Sequence, residues 1–299
     1  MKLSVVVPVC NEAESLPLLA AELAKAIGTD SDSVEWIFID DGSIDGSWWA
    51  IEAICQERQC ARGVKLRQNF GKSAALAAGF AEARGDRVVT IDGDLQDDPA
   101  EIPRLLEALD HGLDLVVGWK ERRQDAWHKT LPSRVFNFMV STASGVKLHD
   151  HNTGLKAVER EVVREVNLYG DRHRFLPVLA AERGFRIGEI SVNHRPRRFG
   201  RSKYGVGRFL RGFIDLGVVW FLARRGRRPG HFFGALAIIA LIASIVGFGR
   251  NGSWAWPMML VFTQLAVAAL LAELVVHERV HTNPPYAVAE RVGASSMKP

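Results

Sequence analysis

Short apolar runs recur through the first 120 residues, each closed by turn or helix-start residues. Residues 3–9, 35–39, 63–66, 87–91 and 114–117 are β-rich and nearly continuous in apolar character, as strands covered on both faces are. Amphipathic stretches begin between them, near Glu12, Asp45, Gly71 and Pro99. This alternation predicts βαβ units, and hence an α/β fold with a mostly parallel sheet flanked by helices. Ligands of such sheets lie beyond the carboxyl ends of the strands. The loops after Val9, Ile39 and Ile91 are therefore expected to meet in one crevice.

The rhythm loosens after residue 120. A helical stretch is predicted near 133–144, a strand at 155–158, a helix near 173–183 and a strand near 186–192, which together read as the acceptor half of the same domain. Between Tyr204 and Leu222, Phe209, Phe213, Leu216 and Trp220 recur at helical spacing, with Arg208, Arg211 and Asp215 off that stripe. The stripe suits an interfacial helix, although a buried amphipathic helix has the same periodicity.

Beyond Gly230 the pattern changes kind. Residues 232–249 hold no charged side chain, and residues 254–276 hold only Glu273. Each run is long enough to span a bilayer, the first only just. The short link Arg250-Asn251-Gly252-Ser253 then implies an antiparallel hairpin. Arg224, Arg225, Arg227 and Arg228 precede the first run and Arg279 follows the second, against Arg250 alone in the link. That asymmetry places both chain ends on the cytoplasmic side, with Trp254 and Trp256 at the far interface. The expected layout is a catalytic domain at 1–203, an amphipathic juxtamembrane segment at 204–229, two transmembrane helices at 230–277 and a weakly ordered cytoplasmic tail at 278–299.

Composition adds less. The 299 residues are 47% hydrophobic, sufficient for a core and a membrane anchor. The net charge of +4 comes with a cluster of basic residues directly before an apolar run, which favours lipid headgroups and phosphate ligands over nucleic acid. The start of the chain reads as a strand closed by Pro8, not as a cleavable signal. Cys10, Cys55 and Cys60 lack zinc-site spacing and are odd in number, so a reducing compartment is expected.

The chemistry concentrates in Asp92-Gly93-Asp94-Leu95-Gln96-Asp97-Asp98-Pro99, directly after a predicted strand. Asp92, Asp94 and the Gln96 carbonyl are hard oxygen donors of the kind Mg²⁺ or Mn²⁺ takes when water and a diphosphate complete its shell. Asp97 and Asp98, before Pro99, read as a helix start. The loop Pro8-Val9-Cys10-Asn11-Glu12 and the turn Asp40-Asp41-Gly42-Ser43 offer acceptors for a base edge and ribose hydroxyls, though Asn11, Asp45 and Asp41-Gly42 also suit caps and turns. Gly71-Lys72-Ser73 is no phosphate-binding P-loop, because Leu66 stands where that motif needs glycine.

These segments resemble the successive signatures of family 2 glycosyltransferases of GT-A fold, in the dolichyl-phosphate mannose synthase-like and bacterial polyprenyl-phosphate glycosyltransferase branch. The resemblance covers about the first 230 residues, and the two-span tail is similar to that of bacterial members. It implies that Asp94 and Gln96 hold the metal, that Asp92 supports the nucleotide side, and that Pro8, Asn11, Glu12, Asp40 and Asp41 frame base and ribose. Cys10 departs from the aromatic residue usual there. Lys120, Arg123, Ser133 and Arg134 resemble the site for the lipid phosphate, and Asp150 in Asp150-His151-Asn152-Thr153-Gly154 the acceptor-side element. Arg198, Ser202 and Lys203 resemble a mobile loop that closes over the diphosphate.

The resemblance thus implies an inverting, metal-dependent transfer of one hexose from a UDP- or GDP-linked donor to a polyprenyl phosphate, at the cytoplasmic face of a bacterial inner membrane. It also allows a homo-oligomer. A processive polysaccharide synthase is the enzymatic alternative, but the Q-x-x-R-W element is absent and one hairpin cannot form a translocation channel. A non-catalytic nucleotide-sugar-binding membrane protein is the other, against which the acidic residues at 92 and 94 argue.

Overall fold

The computed structural model describes residues 2–121, 137–142, 144–166, 168, 172–196, 198–199, 286 and 288–293, and scattered positions between 257 and 274. The chain divides into two compact units, Met1–Phe213 with Pro284–Pro299, and Ile214–Asn283.

In the first unit, β1 (Leu3–Val9), β2 (Val34–Asp40), β3 (Ala61–Leu66) and β4 (Arg87–Thr90) alternate with α1 (Leu16–Ile27), α2 (Ser47–Glu57) and α3 (Lys72–Glu82). The turn Pro99–Glu101 leads into α4 (Ile102–Asp110), followed by β5 (Leu115–Trp119), β6 (Lys156–Glu159), β7 (Ile187–Ser191) and β8 (Val288–Gly293). The sheet order is β7-β5-β6-β4-β1-β2-β3-β8. Its centre, β4-β1-β2-β3, is parallel as expected. The flanks are more mixed than the pattern suggested: β6 runs antiparallel to β4 and β5, and β8 antiparallel to β3.

Two apolar layers sandwich this sheet. Val5, Val7 and Val9 of β1, with Trp36 and Phe38 of β2, join Leu16, Leu19, Leu23, Ile102 and Leu105 on one face. Val6, Ile37 and Ile39 face the other side, against Ala75, Leu76 and Phe80. The period of two therefore buries both faces of the central strands. Helix α3 lies close on β1 because Gly79 has no side chain: a Cβ there would fall 2.2 Å from Val6 Cγ1.

One expectation changes. The tail is not wholly irregular, since residues 288–293 form an edge strand whose Arg291 guanidinium donates twice to Glu82 Oε1, at 3.1 Å each. The juxtamembrane segment lies outside the described residues, as do most positions of the two apolar runs. Among the described residues no helix is long and apolar enough to cross a membrane, while the described positions between 257 and 274 are helical.

Overpacking tests the α3–β1 contact. Gly79→Ala should lower unfolding free energy by roughly 1–3 kcal/mol, read as a lower denaturant midpoint with an unchanged slope. An unshifted midpoint would show that the helix can retreat from the sheet without cost.

Candidate active site

Because β1, β2 and β4 are parallel neighbours, their carboxyl ends emerge side by side, and the loops they feed are laced together. Asn11 takes a left-handed backbone, φ 55°, within reach of a polar side chain but costly for most others. Its N–H donates to Ser43 Oγ at 2.9 Å, and its Oδ1 accepts from the Ile44 N–H at 2.8 Å. The Glu12 N–H donates to Ser47 Oγ at 2.8 Å. Ser15 Oγ donates to the Gly93 carbonyl at 2.7 Å, which ties the first loop to the acidic one. The three loops therefore meet, as the strand order predicts.

Asp40 ends β2 and is fully buried. Its Oδ1 accepts from the Ser43 N–H at 3.0 Å, whereas Oδ2 has no hydrogen-bond partner among the described residues. A buried carboxylate oxygen without a donor is costly, which makes Asp40 Oδ2 a candidate acceptor for a ligand N–H. Asp41 instead supports the backbone, its two oxygens accepting from the Phe70 and Gly71 N–H groups at 2.7 and 2.9 Å. It thereby holds the turn that starts α3. Gly42, at φ 66°, lets this turn close, since a Cβ would lie 2.4 Å from the Asn69 nitrogen. Cys10 Sγ accepts from Asn69 Nδ2 at 3.3 Å.

The acidic loop reverses at Leu95, whose φ is 61° and whose side chain is buried in the core. That strained residue brings Asp94 and Gln96 together on one turn, with Asp94 Oδ1 accepting from the Gln96 N–H at 3.2 Å. Asp98 caps the following turn, accepting from the Ala100 N–H at 3.0 Å. Asp97 does not share that role, contrary to its reading as part of a helix start. It is fully buried and pairs with Lys120, Nζ to Oδ1 at 2.7 Å.

Asp92 is equally committed. Lys72 Nζ lies 2.6 Å from its Oδ1 and 2.8 Å from its Oδ2. Behind it stands Gly154, where a Cβ would come within 2.4 Å of Asp92 Cγ. The glycine of the acceptor-side element is thus what lets Asp92 sit where it does. Asp150 is buried, and its Oδ1 accepts from the Asn152 N–H at 3.1 Å. Lys156, within β6, donates to the Thr153 carbonyl.

Three lysines and three aspartates share this region, and their charges act on one another. Burial works against ionised Asp92, but Lys72, with Lys120 and Lys156, holds its carboxyl below the usual range. Burial also opposes the charge on Lys120, which Asp97, Asp92 and Asp150 nonetheless push up to about 12. Lys156 goes the other way, to about 8, because burial and then Lys72 outweigh the three carboxylates. His173, whose Nδ1 lies 2.9 Å from Ser73 Oγ, is held well below the ordinary imidazole value by burial and then by Lys72, Arg174 and Lys156.

Pro8 and Asp40 stand in the last residues of β1 and β2, Asn11, Glu12, Asp41, Asp92, Asp94 and Gln96 on the loops that follow the strands, and Lys120 and Asp150 in the adjoining charge cluster. Arg198 is exposed, yet the segment leading to it is stitched to the acidic loop. The Arg195 N–H donates to the Gln96 carbonyl at 2.9 Å, and its guanidinium pairs with Asp98 and Glu22 at 2.7 Å each. Arg123, Ser133, Arg134, Ser202 and Lys203 lie outside the described residues. Sequence reading gave Lys72, Asp97, Gly154 and Lys156 no individual part in this charge cluster. A lone lysine in the apolar run Leu155-Lys156-Ala157-Val158 was the available signal for one of them, since a buried charge calls for partners.

A divalent cation fits the donor set. Asp94 and Gln96 offer hard oxygens on one turn beside Asp92, and among the described residues no three His, Cys, Asp or Glu side chains form a cage. Such a partial set suits an ion that takes the remainder of its shell from water and phosphate oxygens.

The acidic turn and the buried Asp40 both stand at strand ends of one sheet, and comparison with known proteins gives the class. Residues 4–166 match the glycosyl transferase family 2 pattern; the chain belongs to that family. It is 37% identical over 313 residues to the dodecaprenyl-phosphate galacturonate synthase of Rhizobium johnstonii, covering 97% of this chain and 93% of that protein. It is 41% identical over 214 residues to the undecaprenyl-phosphate 4-deoxy-4-formamido-L-arabinose transferase of Aeromonas hydrophila, covering 71% and 66%. The fold is similar to that of glucosyl-3-phosphoglycerate synthase from Mycobacterium tuberculosis, solved with Mn²⁺ and UDP-glucose. That likeness has a TM-score of 0.57 at 23% identity, covering 73% of this chain and 78% of the other.

His151, near this cluster, supplies a pH test. Burial lowers its pKa from 6.5 to about 4, so between those values the unfolded chain takes up a proton that the folded one refuses. Stability is complete above about 6.5 and falls on acidification, with His151 contributing about 2 kcal/mol of the loss by pH 5. Denaturant melts at pH 7.5 and 5 should show this fall, reduced in His151→Gln; an equal fall in both proteins contradicts it.

Proposed function

We propose that this chain transfers a single hexose from a nucleotide-sugar to a polyprenyl phosphate at a membrane surface, with inversion and with dependence on Mg²⁺ or Mn²⁺. The observation that carries the reading is the meeting of the acidic loop with two ammonium groups, Lys72 on Asp92 and Lys120 on Asp97, either side of the Asp94–Gln96 turn in the chain. The named activities of relatives aligned over nearly the whole chain support it.

Asp40 Oδ2 receives the N–H edge of the base, with Asn11 and Glu12 shaping the ribose side. Asp94 and Gln96, with Asp92 beside them, would hold a cation that supplies charge neutralisation for the departing diphosphate. Lys120, Arg123, Ser133 and Arg134 bind the acceptor phosphate, and Asp150 orients it. Arg198, Ser202 and Lys203 close over the donor and exclude water. The acceptor oxygen attacks the anomeric carbon, and the bond to the nucleoside diphosphate breaks. A phosphate is already ionised near neutral pH, so no protein general base is required. Positioning and fixed charge are what the residues contribute.

Membrane attachment by a two-helix hairpin at 230–277, with the catalytic domain cytoplasmic, belongs to the same reading. Its support is topological: β8 follows those residues in the chain and pairs with β3. A chain that leaves this domain, enters a bilayer and returns to the same sheet must cross an even number of times.

Asp94→Ala should lower transfer at least a hundredfold without changing the melting temperature by more than a few degrees, assayed with undecaprenyl phosphate and a panel of nucleotide-sugars. Near-normal turnover would remove Asp94 from the mechanism. Product analysis should show one sugar per lipid; a ladder would favour a processive synthase.

A further inference from the structure

Asp92, beside the metal turn, is saturated by a cation that the protein itself supplies. Lys72 Nζ reaches both of its oxygens, at 2.6 and 2.8 Å, and Gly154 packs so closely on the same carboxylate that a Cβ there would fall 2.4 Å from its Cγ. A carboxylate held in this way cannot accept a divalent ion until the ammonium moves or shares it. The pair is not sealed in: the side chains of Lys72 and Asp92 are 24% and 28% exposed, so an arriving ligand can reach them.

Lys72 is mounted to respond to such a ligand. It is the first residue of α3, and the preceding Gly71 has φ 93° with open space where a side chain would stand. Asp41, next to the base-receiving Asp40, grips the Phe70 and Gly71 N–H groups. The donor's base and the lysine facing the acidic loop are therefore coupled through one short turn. A diphosphate brings two things together, negative charge that draws an ammonium and oxygens that complete a metal shell.

We propose that Lys72 is a resident counter-cation for Asp92, which keeps the acidic loop from taking up a metal ion alone and shifts onto the diphosphate when nucleotide and metal arrive together. The idea rests on the metal-dependent reading above. Lys72 acts here as a positioning residue for Asp92 and as a gate on the order of binding. Its consequence is strong coupling between metal and nucleotide: each raises the affinity for the other by the same factor.

Purified protein titrated with Mn²⁺, with free ion followed by electron paramagnetic resonance, reads this directly, alone and with UDP or GDP in separate arms. The wild type should bind Mn²⁺ weakly alone and at least tenfold more tightly with the matching nucleotide. Lys72→Met should bind Mn²⁺ alone about tenfold more tightly than the wild type and lose most of the coupling. Lys72→Arg, which keeps the charge, should behave as the wild type and guards against a folding defect, checked by circular dichroism. If folded Lys72→Met binds Mn²⁺ alone no better than the wild type, while the wild type still binds it with nucleotide, the gate is refuted and the metal reading stands. If the wild type binds no Mn²⁺ with either nucleotide, or Asp94→Asn binds as well as the wild type, the metal reading fails and the gate with it.

Discussion

Six charges packed around the carboxyl ends of β4 and β5 constrain this domain more than any other feature. Lys72 faces Asp92 and Lys120 faces Asp97 across 2.6 and 2.7 Å, while Lys156 acts on both pairs and Asp150 on Lys120 and Lys156. Taking such groups from water costs several kcal/mol per ion, and their attraction offsets this only when geometry is good and the remaining hydrogen bonds are made. Loss of one member leaves another uncompensated. The surrounding architecture, from Gly154 against Asp92 to the Leu95 reversal, follows from keeping these partners aligned.

That requirement explains why the loops are so heavily tied to one another. A flexible loop would let each lysine choose its own carboxylate, and the array would lose its order. Here Ser15 holds Gly93, Ser43 and Ser47 hold the Asn11 loop, and Asp41 holds the start of α3. Short polar side chains bonded to backbone groups lose little rotamer entropy, so they fix loop positions at modest cost. The apolar layers beneath, buried on both faces of β1 and β2, provide the rigid edge on which that lacing hangs.

The edge strand β8 shows how a distant part of the chain can serve the same domain. It covers β3, whose backbone groups would otherwise be open to unwanted pairing. In the sequence it is a plain stretch of mixed polarity, Val288-Ala289-Glu290-Arg291-Val292-Gly293. Edge strands carry little hydrophobic patterning because only one side meets the core, and this one reads as tail. The mixed direction of β6 was hidden for a related reason: pairing partners and their sense are chosen by what lies across the sheet, which no local pattern records.

Residues that repeat a period or sit in a recognisable strand-end motif declared themselves without a structure. The five early strands and their helices, the meeting of the loops at their carboxyl ends, and the place of Asp40, Asp92, Asp94 and Gln96 at those strand ends were all legible, because side-chain alternation and loop position depend on neighbours in the chain. What each acid does there was settled only by the tertiary arrangement. Asp97 and Asp98 are adjacent and identical, yet one lies buried against Lys120 while the other caps a turn. Asp41 supports backbone with both oxygens, while Asp40 has one oxygen without a hydrogen-bond partner among the described residues. The physical reason is that a charge takes its role from the partners folding brings within about 3 Å of it, and those partners lie tens of residues away.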